Sequence, residues 1–207
     1  MSHPDVDQVM RIFDALLRLA EIDAGLRRSG FVAVDAAELA ATAVEFYAPA
    51  AELKGIALTF QAQGSTTVPG DPVLLAQALS NLIDNALKFT PEDGRIGVSV
   101  QSRADRSVDV AVTDNGPGIN DEEKGKVVER FYRGDASRGT PGVGLGLSLA
   151  QAVAKLHGSA LELSDLHPGL RVVLTIPADP APAAPPAADA PAPSDPAQLP
   201  GIAAASH

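Results

Sequence analysis

The sequence predicts an α+β fold, a two-layer α/β sandwich whose mixed, mainly antiparallel sheet carries helices on one face and is preceded by a helical segment. Three observations lead there. Strand-like runs come in neighbouring pairs, RIGVSVQSR with SVDVAVTD and SALELSD with LRVVLTIP, close enough in sequence to form hairpins. Segments with helical spacing stand before and between them. The 207-residue chain is 45% hydrophobic but only 4% aromatic, which suits one aliphatic core of Ala, Val and Leu between a sheet and its helices. A formal net charge of −10 excludes a general electrostatic grip on nucleic acid or anionic lipid. With no Cys there is neither a disulfide framework nor a thiolate metal site. No apolar run reaches the roughly 18 residues of a membrane span.

The elements follow in order. VDQVMRIFDALLRLAEIDAG places Val6, Phe13 and Ala20 seven apart, with Val9, Met10, Leu16 and Leu17 between them, so residues 5–24 predict a helix that stops at Gly25, with a heptad seam that wants a partner helix or, alternatively, an apolar face packed on its own domain. DAAELAATAVEFYAPAAELKG opens on Asp35 as N-cap with Glu38 three residues on, and Pro49 is expected to bend or end that helix. IALTFQA alternates like a strand. GDPVLLAQALSNLIDNALKF reads as a long helix capped by Asp71, with Pro72 in its first turn. RIGVSVQSR and SVDVAVTD predict a hairpin across Ala104 and Asp105, DEEKGKVVERF a short helix, and Leu145 to Leu156 another helix before the final strand pair. From Pro177 onward nine of the seventeen prolines fall in the last 31 residues, mixed with Ala and Asp, the composition of a disordered tail.

Three clusters carry chemistry. In NLIDNALKFT, Asn81, Asp84, Asn85 and Lys88 share one helical stripe, either a solvated face or one where amide oxygens of Asn81 and Asn85 meet a partly hydrated Mg²⁺ while Lys88 approaches a phosphate. TDNGPGI follows a strand. It reads as a plain turn, or as a site where the acceptor-only Asp114 takes the exocyclic amine of adenine while Gly118 lets a base lie on bare backbone. In ERFYRGDASRGTPGVGLGLSLAQ, Arg133 and Arg138 are candidates for polyphosphate, and the glycines run into a helix whose first amides favour an anion. The stretch has neither a G-x-x-x-x-G-K-[ST] loop nor the G-x-G-x-x-G spacing in a parallel βαβ context.

The ordered set N-x-x-x-N-A-x-K-F-T, D-N-G-P-G-I, E-R-F-Y-R and G-x-G-L-G-L resembles the ATP-binding catalytic domain of sensor histidine kinases, in the superfamily shared with DNA gyrase and mismatch-repair ATPases. The resemblance covers about residues 5–177. It implies ATP and Mg²⁺ as cofactors, with Asn81 and the firmer ligand Asn85 in the asparagine box and Lys88 near the phosphates. It assigns adenine recognition to Asp114, the base pocket to Gly116, Gly118 and Ile119, and the phenylalanine box to Phe131. Residues 132–143, with Arg133 and Arg138, match the mobile ATP lid, and Gly142, Gly144, Leu145 and Gly146 its hinge and the start of the phosphate-side helix. Residues 1–30 then look like the second helix of a dimerisation and phosphotransfer hairpin, 31–177 like the ATP-binding domain, and 178–207 like a Pro/Ala-rich tail.

The implied reaction moves the γ-phosphoryl group of ATP to a histidine and thence to a response regulator's receiver domain. It would run in a homodimer whose soluble part faces the cytoplasm from a membrane-anchored kinase, with no nucleic acid involved. One departure stands out: the motif resembling S-H-E-L-R-T-P, which holds the family's phosphoacceptor, is absent from this chain. His3 precedes Pro4, His157 ends a helix in KLHGS, His167 lies in a turn and His207 is terminal. The competing expectation is therefore an ATP-gated interaction module or pseudokinase without phosphotransfer. A serine-phosphorylating anti-sigma-type relative fits the hairpin-like helix and the F-Y-R box less well.

Overall fold

Alternation in β4 (Arg95–Ser102) buries Ile96, Val98 and Val100 and leaves the intervening residues more exposed, so the strand has one apolar face. The computed structural model describes residues 31–120, 123, 125–127 and 145–178. Within them β4 is flanked by β2 (Ala57–Gln63) in parallel and by β5 (Val108–Asp114) antiparallel. The sheet continues to β7 (Leu170–Ile176) and β6 (Leu161–Asp165), giving the order β2-β4-β5-β7-β6. The register aligns Phe60, Val98, Val112, Val172 and Leu163 in one cross-strand row and Ala62, Val100, Val110, Leu174 and Leu161 in the next. Apart from the exposed edge residue Ala62, these rows are the floor of the core.

Three helices cover that face: α1 (Ala36–Glu52), α2 (Pro72–Phe89) and α3 (Gly146–Leu156). The central α2 buries Leu74, Leu75, Ala78, Leu79, Leu82, Ile83, Ala86 and Leu87, a stripe at helical spacing. The opposite face of the sheet is more polar, with Asp109 bonded to Arg103 Nε at 2.7 Å and to Thr175 Oγ1 at 2.8 Å. The mixed, mainly antiparallel sheet with helices on one face is the predicted fold. Among the described residues no helix is long and apolar enough to cross a membrane.

The predicted caps are present. Asp71 Oδ1 accepts the amides of Val73 and Leu74 at 3.0 and 3.1 Å ahead of α2. Asp35 Oδ1 takes the amides of Ala37 and Glu38 and also the Thr66 hydroxyl at 2.6 Å. That last bond ties α1 to a two-stranded antiparallel sheet that the sequence pattern did not announce, β1 (Val32–Asp35) with β3 (Thr67–Gly70). Pro49 does not end α1, which runs on to Glu52; Pro49 lies exposed, so the helical hydrogen bond it forfeits is at the surface, where water can replace it. The β4–β5 hairpin turns through five residues, 103–107, rather than two, with Arg106 at φ 66 and Asp105 accepting from the Ser107 amide. The predicted helices 5–24 and 121–131 lie outside the described residues, apart from a hydrogen-bonded turn from Glu123 to Val127.

Candidate nucleotide site

Helix α2 builds the first half of the site. Leu82, Ile83, Ala86 and Leu87 fix its rotation against the core, which leaves Asn81 and Asn85 half-buried on the flank toward α3. Gly146, the first residue of α3, sits against them: a Cβ there would lie 3.3 Å from Asn85 Nδ2 and 3.7 Å from Asn81 Cβ. The preceding residue Leu145 is buried and supplies no side-chain cap, so among the described residues the first amides of α3 start uncapped beside the two asparagines. Uncapped amides and a helix dipole favour an anion there. Three of the sequence-predicted residues therefore meet at one point.

Lys88 behaves differently. Its Nζ lies 2.6 Å from Asp84 Oδ2, one helical turn back, in a partly exposed pair. Such pairs contribute roughly 0–1 kcal/mol, so exchanging Asp84 for a phosphate costs little.

Asp114 builds the second half. It ends β5 opposite Ile96 and therefore at the margin of the apolar face, where burial pushes its carboxyl pKa up while the amides of Gly116 and Leu170 pull it down. The Gly116 amide donates to Oδ1 at 2.8 Å. Gly116 is pressed onto the end of α2, since a Cβ would come 2.7 Å from the Phe89 carbonyl oxygen. Asn115 fixes the loop from the other side, with Oδ1 accepting the Arg95 amide at 2.7 Å. Gly118 has φ 74 and Ile119 is half-buried beside it. A single helix thus connects the asparagines along its flank to the carboxylate loop at its C-terminus.

The motif reading missed Asn115, Asp165 and Gly169. Gly169 has φ 116 and passes so close to Asp114 that a Cβ would overlap its carbonyl oxygen. The dipeptide Pro168-Gly169 signalled a turn, but not which loop that turn would touch. Phe131, Arg133, Arg138, Gly142 and Gly144 lie outside the described residues.

The resemblance implies Mg²⁺ at the two asparagines. No cluster of three His, Cys, Asp or Glu side chains suited to a metal occurs among the described residues. Half-buried amide oxygens nevertheless suit a hard cation that keeps several waters and draws other ligands from a phosphate chain. Asn81 and Asn85 would hold such an ion beside the start of α3, and the ion would neutralise phosphate charge.

His157 closes α3 and has a structural place. It is fully buried, Nε2 accepts the Asp71 amide at 3.2 Å, and Nδ1 lies 2.8 Å from the Val153 carbonyl. An amide can only donate and a carbonyl only accept, so these partners specify the neutral Nδ1–H ring. Phe31 stacks on it at 4.5 Å.

Comparison with known proteins gives a consistent picture. The chain is 46% identical over 100 residues to the signal transduction histidine-protein kinase/phosphatase MprB of Mycolicibacterium smegmatis, a match that takes in 48% of this chain and 20% of that one. The match thus spans about a fifth of such relatives' length. The solved structure of a mycobacterial sensor histidine kinase MprB superposes with a TM-score of 0.65 at 31% identity, covering 72% of this chain and 99% of that one. The catalytic domain of histidine kinase ThkA superposes with a TM-score of 0.64 at 26% identity, covering 71% and 97%. Residues 70–180, more than half of the chain and spanning α2, both halves of the site and β7, match one family throughout. The chain belongs to the histidine kinase-, DNA gyrase B- and HSP90-like ATPases.

Proposed function

We propose that this chain binds ATP with Mg²⁺ and acts as the catalytic domain of a two-component sensor histidine kinase, passing the γ-phosphoryl group to a histidine for relay to a response regulator. The observation that carries the reading is the meeting of Asn81 and Asn85 with the uncapped start of α3 at Gly146. Asp114 stands at the far end of the same helix to accept the adenine amine. Asn85 and Asn81 hold the metal, Lys88 leaves Asp84 for a phosphate, and Gly116, Gly118 and Ile119 shape the base pocket. The resemblance assigns Phe131, Arg133, Arg138, Gly142 and Gly144 to the nucleotide site as well. Catalysis then rests on positioning and charge neutralisation, as in phosphoryl transfer generally.

Both ring nitrogens of His157 are engaged in the core, so the acceptor is a different histidine. The heptad spacing of Val6, Phe13 and Ala20 supports reading residues 1–30 as one helix of a dimerising hairpin on which an acceptor of this kind is carried. The reading places the domain on the cytoplasmic side of a membrane-anchored kinase. Two measurements test it. Nucleotide binding that survived both Asn85→Ala and Asp114→Ala would sink the site assignment. Transfer of label from γ-labelled ATP to an added histidine-bearing hairpin separates a kinase from an ATP-gated module, which would bind nucleotide and transfer nothing.

A further inference from the structure

The turn joining β6 to β7 is held against the Asp114 loop from two sides. Gly169, at φ 116, lies so close that a Cβ would overlap the Asp114 carbonyl oxygen and come 3.0 Å from the Asn115 Cα. Across the loop, a Cβ on Gly118 would lie 3.1 Å from both Asp165 Oδ1 and the Gly169 carbonyl oxygen. The turn is also closed on itself. Asp165 Oδ1 accepts the His167 amide at 3.0 Å and lies 3.0 Å from His167 Nδ1, and the Leu166 amide donates to the Gly169 carbonyl at 2.9 Å.

The Asp114 carboxylate accepts the Gly116 amide within its own loop and is also reached by the Leu170 amide, the residue after Gly169 in the β6–β7 turn. Asn115 ties the loop to β4 and Gly116 packs on the end of α2, while the β6–β7 turn holds it from the remaining side with a fit that leaves no room for a side chain on Gly169. We propose that this turn is a clamp that sets the base selectivity of the nucleotide site by positioning Asp114, with Asp165 and Gly169 as positioning residues. The proposal rests on the assignment of Asp114 to the base and deepens it. Adenine presents an amine to a carboxylate where guanine presents a carbonyl, so discrimination depends on holding that acceptor in place.

Equilibrium binding of ATP, GTP and inorganic tripolyphosphate to the full chain with Mg²⁺ tests this. Asp165→Ala and Gly169→Ala should each lower ATP affinity about tenfold, the scale of one hydrogen bond to a charged group. They should shrink the ATP-over-GTP ratio by a similar factor and leave tripolyphosphate binding unchanged. Asp165→Asn keeps an acceptor for the His167 amide and should restore the ratio. Where Gly169→Ala fails to fold, Asp165→Ala decides alone. An unchanged ratio in folded Asp165→Ala overturns the clamp, as does equal loss of ATP and tripolyphosphate binding, which a general loosening of the domain would give. Asp114→Ala keeps the two levels apart. If ATP affinity survives it, the base assignment itself falls; if ATP affinity is lost there while the turn variants keep the ratio, only the clamp falls.

Discussion

Replacing His157 with alanine should be among the most damaging single changes in the described fold. The ring is fully buried and stacked on Phe31, so truncation removes its packing and opens a cavity, at about 2–4 kcal/mol for a buried side chain of this size. It also takes away the acceptor of the buried Asp71 amide, adding about 1–3 kcal/mol. The Val153 carbonyl keeps the backbone amide of residue 157, so it adds little. The sum, about 3–7 kcal/mol, is a large part of the roughly 5–15 kcal/mol that holds a domain together. Urea unfolding followed by circular dichroism measures it. His157→Gln places a polar atom near the Nε2 position and should recover about 1–2 kcal/mol of the loss. A change below about 1 kcal/mol in His157→Ala, or equal losses in the Ala and Gln variants, would refute the reasoning.

Other outcomes follow from the same geometry. Burial raises the Asp114 pKa above its ordinary value, so its contribution to folding is complete below that value and is lost as pH rises through the folded one; Asp114→Asn should therefore resist denaturant better than the parent at neutral pH. Binding runs the other way: ATP affinity should fall as pH drops through that raised value, and a titration series should find this dependence flattened in Asp114→Asn. Asp35 is held below its ordinary value, first by the Thr66 hydroxyl, so its contribution is present above the unfolded value and fades as pH falls through the lowered one. Asp35→Ala should cost about 1–2 kcal/mol in chemical denaturation, the scale of a lost N-cap. Asn85→Ala should bring ATP affinity in Mg²⁺ down to the level seen in EDTA, with little change in melting temperature, because the side chain is only half-buried.

The larger elements were legible because their periodicities are strong and local. Ile96, Val98 and Val100 alternate cleanly, and Leu74 to Leu87 recur at helical spacing between Asp71 and Thr90. The small sheet was hidden because its strands are four residues long and β3 contains Pro69, which argues against a strand when read locally. Pro49 was expected to bend or end α1, and sequence does not show that the helix continues past it to Glu52 with the proline exposed. Asn81, Asn85 and Asp114 were visible as residue types at telling spacings. Their neighbours Gly169 and Asp165 were not, since they reach Asp114 and Gly118 only through the pairing of β5 with β7, a contact between residues more than fifty positions apart. Lys88 was correctly placed on the stripe, but its partner Asp84 competes for it at 2.6 Å.

The strand order also governs when the domain can become functional. β7 is the last strand among the described residues, yet it lies between β5 and β6 rather than at an edge. While a ribosome is still making the chain, β5 keeps one side unpaired and its valines wait for Val172, Leu174 and Ile176. An unfinished sheet of this kind offers a free edge to aggregation and to chaperones. The grip on Asp114 comes from residues 169 and 170, at the entrance to that same late strand. Nucleotide capture in a nascent chain would therefore switch on only after residue 176 has emerged, making ligand binding a report that the sheet is complete.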